Sequence, residues 1–330
     1  METATKKKSF LKRVLTLAIR QPAIASMMIL LLIGICVYGT VFLNAVNIRN
    51  ILRLSSILAV LAMGLNVVIL TGGIDLSGGA ILALSGGVAA DLQDYGPVVM
   101  VAGALLVGLV CGTVNGLLVA KVRIAPFIAT LATQLGIRGI AYLSTEGAKS
   151  ITIDTESPFL MLSEGFNFFI FSVPFIIALV LCAGLSKMLR SRKFGRHIYA
   201  VGGNAEAARM IGIKNEKILM GVYIIAGVTA SFAGVLMAAR SISGVPTTGQ
   251  NTTLEAIASV IIGGTVLTGG KGKASGALLG AIIFCTISNL INTYGNINAY
   301  VTNFITGTLV LIVALLQAKV QQQKPGEKAA

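Results

Sequence analysis

The chain is poor in the residue types that most catalytic and metal sites use. It has no tryptophan, a single histidine and only 12 aspartates and glutamates among 330 residues. The lone histidine, His197, cannot form a histidine metal cluster, and the carboxylates do not gather within the apolar segments. This composition argues against a metal centre and against a proton relay of acidic residues in a membrane.

Cysteine and phosphate-loop motifs are also missing. All the cysteines lie in apolar runs and have neither metal-binding nor disulfide-framework spacing: Cys36, Cys111, Cys182 and Cys285. Residues 269–275, GGKGKAS, resemble a phosphate-binding loop but lack the G-x-x-x-x-G-K-[ST] spacing and a preceding strand. We therefore expect a chain that is not an enzyme, binds no metal or cofactor and hydrolyses no nucleotide itself.

Apolar residues dominate the remainder of the sequence. They make up 55% of the chain, and the mean hydropathy is +0.87, whereas soluble domains have about 45–50% apolar residues. The net charge is +14, but the basic residues lie between apolar runs rather than along one continuous face. Nucleic-acid binding is therefore not predicted, and the composition indicates an all-α polytopic membrane protein.

The apolar runs predict about ten transmembrane helices, since a helix needs about 20 apolar residues to cross the hydrocarbon core. The candidate spans are 23–43, 51–71, 74–92, 97–120, 124–144, 167–189, 218–239, 254–268, 275–293 and 299–318. The third, eighth and ninth are short or contain glycine interruptions, which is typical of segments that are buried in protein or line a cavity.

The ends of the chain are basic and polar. Residues 6–13 could belong to a signal peptide, but the following apolar run is long enough to span and lacks a small-residue cleavage site. We therefore predict a basic N-terminal segment at 1–22, a membrane domain at 23–318 and a polar tail at 319–330.

The charges of the loops predict an orientation. One side would carry the N-terminal basic cluster, Lys121, Arg123, the 187–217 loop, Lys271, Lys273 and Lys319. The other side would carry Asp91, Asp94, Glu146, Asp154, Glu156 and Glu164, with Arg49, Lys149 and Arg240 as positive exceptions. By the positive-inside rule, both termini are expected in the cytoplasm. The acidic 145–166 segment is expected to form a small structure outside.

Several polar residues within or beside the spans are candidates for a transport pathway or gate: Asn66, Asp75, Asn115, Arg138, Asn251, Glu255 and Asn289. Amides that join helices are the ordinary alternative for the asparagines. Asp75 could cap the next helix, and Thr252 with Glu255 has capping-box spacing. Without a carboxylate relay, these polar groups suit a neutral hydroxylated solute.

Arg138 is unusual because a guanidinium at membrane depth costs about 2.5–3.5 kcal/mol on insertion scales. Three explanations are open from the sequence: an internal pairing, a wet pathway, or a side chain that reaches outward to the interface. A pair with Glu255 is one form of the first explanation.

A long basic insert interrupts the apolar pattern between residues 192 and 217. It contains E-A-A-x-x-x-G, which Glu206, Ala207, Ala208 and Gly212 provide. On the side that holds positive charge, such an insert could be gripped by a soluble partner. A solvated basic loop is the ordinary alternative.

Three long segments carry a resemblance to a known family. They are GGIDLSGGAILALSGG at 72–87, FGRHIYAVGGNAEAARMIGI at 194–213 and EAIASVIIGGTVLTGGKGKASGALLG at 255–280. The chain resembles the inner-membrane permease subunits of bacterial ABC sugar importers of the ribose/arabinose/xylose/galactose type. With the matching span order, the resemblance covers nearly the whole chain.

The resemblance implies a multi-pass permease of the bacterial inner membrane. It implies work in a pair, as a homodimer or heterodimer, with ATPase subunits that bind ATP and Mg, and with a periplasmic or lipoprotein sugar-binding protein. The loop at about 190–217 would contain the coupling helix that docks on the ATPase. Its implied contact and turn residues are Gly195, Arg196, Gly202, Gly203, Asn204, Glu206, Ala207, Ala208, Arg209 and Gly212.

The expected function is ATP-driven import of a monosaccharide such as ribose by alternating access. The alternatives are an ABC permease for a branched-chain amino acid, a nucleoside or an autoinducer-type furanose, and an autonomous secondary sugar transporter. A membrane enzyme acting on lipids would need a cluster of catalytic residues that the sequence does not display.

Overall fold

The computed structural model describes residues 31–32, 34–39, 42–145, 147–164, 167–168 and 171–293, and five residues between 301 and 311. The first and last predicted spans therefore fall largely outside the described residues, as do Glu146 and both basic or polar termini. The prediction of ten spans and of cytoplasmic termini stays a prediction.

The described part of the chain is mainly helical. Its helices are α1 (Ala45–Ile69), α2 (Gly78–Asp91), α3 (Pro97–Ala120), α4 (Pro126–Ser144), α5 (Met161–Glu164), α6 (Val173–Ser191), α7 (Lys193–Gly203), α8 (Ala205–Met210), α9 (Asn215–Ser241), α10 (Thr252–Ile262) and α11 (Ala274–Thr293). Single 3₁₀ turns occur at Gln93–Tyr95 and Pro158–Leu160. Five of these helices, namely α1, α3, α6, α9 and α11, are long and apolar enough to cross a membrane.

Helices α1 and α9 form the centre of the bundle. Helix α9 packs against α1, α2 and α3, while α1 also packs against α6, α10 and α11. In the apolar 18-residue stretch of α1, 83% of the residues are buried, against 22% in that of α3. Apolar residues cover most of α3 on all sides, so its outward faces suit contact with lipid tails or with another subunit.

Glycines let α3 and α9 approach until their backbones touch. A Cβ atom built on Gly112 would lie 2.6 Å from the Tyr223 carbonyl oxygen, and one on Gly227 would lie 2.3 Å from the Gly108 carbonyl oxygen. Small residues at such spacing are the usual means by which membrane helices cross closely. The spacing Gly108, Gly112, Gly116 in α3 therefore marks a helix-packing face.

Two short apolar helices, α2 and α10, begin and end at other residues than the spans predicted for them. At about 1.5 Å per residue, the 14 residues of α2 and 11 of α10 fall short of the roughly 30 Å hydrocarbon core. Their first turns meet in the interior, where the Gly79 N–H donates to Thr253 Oγ1 at 2.7 Å. The glycines of the ninth predicted span, by contrast, leave α11 continuous.

One end of the bundle carries the small structure predicted for the 145–166 segment, which includes the 3₁₀ turn Pro158–Leu160 and helix α5. Strand β1 (Ile151–Thr152) pairs antiparallel with β4 (Ser243–Gly244), just after α9. Strand β2 (Asn167–Phe168) pairs antiparallel with β3 (Phe171–Ser172). Phe159 and Ile153 are buried beneath this end, so the segment is packed on the helices rather than extended as a linker.

Candidate functional site

The basic insert folds into two short helices, α7 and α8, between α6 and α9. Asn204 separates them, and its Oδ1 accepts hydrogen bonds from the N–H groups of Glu206 and Ala207 at 3.0 Å each. This is an N-cap of ordinary chemistry. Gly212 ends the unit with a φ of +85°, a value that glycine adopts without steric cost. Asn204 and Gly212 therefore determine where α8 begins and ends.

Helix α8 presents an apolar tip outside the bundle. Met210 is 83% exposed and Ile211 is 76% exposed, while Ala208 is buried against the rest of the unit. Glu206, Ala207 and Arg209 are exposed beside that tip. Two large apolar side chains at the end of a polar loop form a small surface that a protein partner can bury.

A basic groove of about 530 Å³ lies next to α8. Its charged lining residues are Arg123, Arg209, Lys214, Glu216 and Lys217. Arg123 is exposed and lies 3.3 Å from Glu216, which is also exposed. Exposed ion pairs contribute little to stability, so the excess of positive charge is available to attract an acidic surface.

Close contacts tie α7 to the bundle. A Cβ atom on Gly202 would lie 1.8 Å from the Leu70 carbonyl oxygen and 2.6 Å from the Gly270 nitrogen. The Tyr199 hydroxyl donates to the Gly272 carbonyl oxygen at 2.8 Å. Partial burial raises the pKa of the Tyr199 phenol, which keeps its proton in place. Helix α7 is thereby joined to the loops that follow α1 and precede α11.

The remaining residues of this unit have different surroundings. Gly195 packs on the backbone of α6, since an added Cβ atom would lie 2.3 Å from the Met188 carbonyl oxygen. Arg196 is exposed and donates to the Ser191 carbonyl oxygen at 3.2 Å. Gly203 has open space where a Cβ atom would stand. The unit thus has an attached side and a free side, which sequence spacing does not distinguish.

Asp75 and Asn115, two of the predicted pathway residues, belong to one buried polar network. Asp75 Oδ1 accepts from the Ser77 N–H at 2.8 Å and from the Ser77 hydroxyl at 2.6 Å. Asn115 Nδ2 donates to Ser77 Oγ at 2.8 Å, and Asn115 Oδ1 accepts from the Thr133 hydroxyl at 2.7 Å. The network joins the 71–77 loop to α3 and α4.

Asp75 orders the turn before α2 but does not cap the helix, because Ser77 holds the N-cap position and makes no side-chain cap hydrogen bond. Asp75 is only 2% exposed, so it offers little surface to a soluble partner in this conformation. Nearby, the Leu76 N–H donates to Thr130 Oγ1 at 3.1 Å. Because buried polar groups are costly without partners, the mutual bonds fix this loop in one arrangement.

Arg138 is paired internally, but not with Glu255. Its Nη1 donates to the carbonyl oxygens of Pro246 and Thr248 at 2.5 and 2.6 Å, and its Nη2 donates to the Gly79 carbonyl oxygen at 3.2 Å. The guanidinium therefore bridges the first turn of α2 and the 245–251 segment before α10. A planar fork of donors is suited to such multiple acceptors.

The other predicted asparagines have separate positions. Asn66 Oδ1 accepts from the Thr265 hydroxyl at 2.7 Å, which ties α1 to the loop after α10. Asn289 Nδ2 donates to Asn47 Oδ1 at 2.9 Å, which ties α11 to α1. Asn251 is exposed and forms the N-cap position of α10 without a side-chain cap. Two of these three amides therefore act as links between elements.

The predicted capping box at Thr252 and Glu255 is wrong. Helix α10 begins at Thr252, so Asn251 occupies the N-cap position and Thr252 is already helical. The neighbouring Thr253 instead accepts the Gly79 N–H described above. The tertiary contact between α2 and α10 overrides the local motif, and Glu255 is left facing another environment.

That environment is a cavity of about 300 Å³ between α1, α9, α10 and α11. Its polar lining residues are Arg240, Thr252, Glu255, Ser288, Asn289 and Asn292. Leu54, Ile57, Leu58, Leu82, Met237, Phe284 and Cys285 complete the wall. Two of the predicted pathway residues, Glu255 and Asn289, are thus brought together, while Asn66, Asp75, Asn115, Arg138 and Asn251 lie outside this lining.

Comparison with known proteins gives a family. A family model described as the permease component of branched-chain amino acid transport systems matches residues 47–314. The ribose import permease protein RbsC of Bacillus subtilis strain 168 is 38% identical over 292 residues, covering 88% of this chain and 90% of that protein. RbsC of Escherichia coli strain K12 is 39% identical over 306 residues, covering 89% and 93%. The chain belongs to the sugar ABC importer permease family.

A more distant relative extends this result. The permease is 32% identical over 320 residues to the galactose/methyl galactoside import permease protein MglC of Haemophilus influenzae strain Rd, covering 91% and 94% of the two chains. No solved structure gives a significant match to the permease. Together with its long apolar helices, these relatives make it a multi-pass inner-membrane transport protein.

Several residues of the permease that matter for its geometry are not found by sequence reasoning. Ser77 and Thr133 complete the Asp75 network, Tyr199 anchors α7, and Arg240 lines the same cavity as Glu255. Arg240 had a sequence signal, because it breaks the charge asymmetry of the loops. The hydroxyl residues gave none, since serine and threonine are common in membrane helices.

Proposed function

We propose that this permease is the transmembrane subunit of an ATP-driven importer that carries a monosaccharide, with ribose as the first candidate, into the cytoplasm. The observation that carries the proposal is the identity of 38–39% to ribose import permeases over about nine tenths of both chains. Because the alignment covers most of both chains, it supports the same arrangement of helices along nearly the whole chain.

The α7–α8 unit suits the role of a coupling element. Its exposed apolar tip at Met210 and Ile211 offers a docking surface, and the adjacent basic groove would attract an acidic partner. Its attached side touches Leu70, Gly270 and Gly272. A partner that pulls on α8 would therefore move the loops that lead to α2 and α11.

The proposed partners are ATPase subunits that bind ATP and Mg, an extracytoplasmic sugar-binding protein and a second permease subunit. ATP hydrolysis takes place on the ATPase in this scheme, and the permease contributes two alternating conformations. Each partner must favour one conformation over the other, because a ligand with equal affinity for both shifts nothing.

Another sugar is the second candidate, and the similarity to a galactose/methyl galactoside permease favours it. A branched-chain amino acid, a nucleoside or a furanose signal remains a third class. An autonomous secondary transporter is the competing mechanism. These alternatives differ in the solute or in the energy source, so one assay separates them.

The assay is uptake into proteoliposomes that contain the permease with its ATPase and binding protein. We expect uptake of labelled D-ribose, tested beside D-galactose, D-fructose, leucine and a nucleoside, to require ATP on the ATPase side. A complex with an ATPase that binds but cannot hydrolyse ATP is the matched control. Accumulation against a gradient by the permease alone would refute the mechanism, and uptake of leucine alone would refute the solute class.

A further inference from the structure

The cavity between α1, α9, α10 and α11 has the size of a small-molecule site. Its volume of about 300 Å³ is at the lower end of the range that ligand pockets occupy, about 300–1,000 Å³. Leu82 of α2 adds to its wall, so five helices contribute to it, and two of them are the short helices α2 and α10. A space enclosed by several separate helices can change shape when those helices move, as a transport site must.

Two side chains of opposite charge, Arg240 and Glu255, face this cavity. Arg240 lies in the last turn of α9, and Glu255 lies in the first turn of α10. Within the described part of the chain, neither side chain forms a hydrogen bond or an ion pair. Charged groups at membrane depth are costly unless they are paired or wet. The cavity gives both of them access to water or to a polar solute.

The rest of the polar wall consists of hydroxyl and amide groups. Thr252, Ser288, Asn289 and Asn292 provide them. Asn289 Oδ1 is buried and has no hydrogen-bond partner among the described residues, although Asn289 Nδ2 is bonded to Asn47. Since buried acceptors are normally satisfied, this wall has hydrogen-bonding capacity left for a solute.

We propose that Arg240 and Glu255 hold a neutral polyhydroxylated solute, a monosaccharide, in this cavity on its way through the permease. The proposal rests on the function proposed above and adds the position of the sugar. The Glu255 carboxylate accepts hydrogen bonds from sugar hydroxyls, and the Arg240 guanidinium donates to hydroxyl or ring oxygens. Bonds to charged groups are about twice as strong as neutral ones.

The charges also decide which solutes fit. Arg240 and Glu255 are the charged residues of the lining, and Arg53 adds a further positive charge close to Arg240, so a singly charged cation is disfavoured there. A zwitterionic amino acid could satisfy both, and it is the competing ligand. The four hydroxyl and amide side chains around the pair favour a polyol, because they offer partners to several hydroxyls and no further charge.

The test is protection of a thiol placed in the cavity. In a complex whose Cys36, Cys111, Cys182 and Cys285 are replaced by serine, Ser288→Cys is labelled with a charged methanethiosulfonate reagent. We expect D-ribose, or whichever sugar the unmodified complex imports, to slow the labelling at least about threefold at millimolar concentration. Glu255→Gln should raise the sugar concentration for half-protection about tenfold or more, as loss of a charged hydrogen-bond partner requires.

The control is Tyr95→Cys, since Tyr95 is 72% exposed and lies outside the cavity lining. Sugar should leave its labelling rate unchanged. If the Glu255→Gln complex does not assemble, Arg240→Gln is measured in the same way. Protection by leucine instead of sugar, or half-protection unchanged in the variant, would overturn the proposed site. Sugar uptake without protection refutes the cavity alone, whereas uptake of no sugar by the unmodified complex refutes the proposed function.

Discussion

Gly202 is a residue at which the α7–α8 unit and the bundle approach closely. An added Cβ atom would lie 1.8 Å from the Leu70 carbonyl oxygen, well inside van der Waals contact, and both sides of the contact are backbone. We expect Gly202→Ala to destabilise the permease by about 2 kcal/mol or more, because overpacking forces backbone shifts. Thermal unfolding of the purified protein in detergent measures this, and uptake should fall in parallel.

The neighbouring Gly203 is the matched control. Gly203 is also a glycine at the C-terminal end of α7, but nothing lies within 4 Å of a Cβ atom added to it. Gly203→Ala should therefore change the free energy of unfolding by no more than about 0.5 kcal/mol. Equal losses in the two variants would show that the close contact at Gly202 is unimportant.

Asp75 is the second residue whose contacts allow a sharp prediction. Asp75→Ala leaves the Ser77 N–H and hydroxyl without their shared acceptor, at a cost of about 1–3 kcal/mol for a buried unsatisfied group. Asp75→Asn keeps an oxygen in the same position and should lose less. The melting temperatures of the two variants test this order. If Asn were the more damaging substitution, the negative charge and not the turn would be the requirement.

At the scale of elements, the exposed tip of α8 leads to a prediction about assembly with the ATPase. Replacing Met210 and Ile211 together by serine removes the exposed apolar tip, and Glu206→Arg reverses a charge beside it. Either change should reduce co-purification of the ATPase at least about tenfold, a loss that corresponds to about 1.4 kcal/mol. Pull-down of the ATPase by tagged permease provides the measurement.

Because these side chains are exposed, the isolated permease should keep its thermal stability in both variants. Tyr95→Ser serves as the control, since Tyr95 is equally prominent but lies at the far end of α3. An unchanged pull-down with the Met210 and Ile211 double variant would remove α8 from the docking surface.

The whole molecule has a predicted sidedness that labelling in cells can test. The loop charges place α7 and α8 in the cytoplasm and Tyr95 outside. A membrane-impermeant thiol reagent should therefore label Tyr95→Cys in intact spheroplasts and Met210→Cys only after permeabilisation. The reverse pattern would show that the charge asymmetry does not set the orientation of this chain.

Sequence reasoning predicts the long helices well. The predicted span 97–120 coincides with α3, and 218–239 lies within α9, because long apolar runs give a strong local signal. It misses the bounds of α2, which begins at Gly78 and not at 74, because Asp75 and Ser77 form a turn stabilised by residues of α3 and α4. Contacts between residues distant in the chain decide such positions.

The same reasoning explains the mixed result for the polar residues. Glu255 and Asn289 share a cavity, yet Arg240, which lines the same cavity, looks like a loop residue in the sequence. Arg138 is recognisable as unusual, but its acceptors are backbone carbonyls, which every residue possesses. A sequence can therefore indicate that an intramembrane charge needs partners without identifying them.

The position of Arg138 has a consequence for how the permease can open. One rigid guanidinium holds carbonyl oxygens on both sides of the junction between α2 and the 245–251 segment. Partial separation would leave some of these part-buried donors without acceptors, which costs free energy, so a half-open intermediate is disfavoured. The junction should therefore have two states, one with all of these hydrogen bonds formed and one with none of them. The transport cycle would then pass this junction in a single cooperative step.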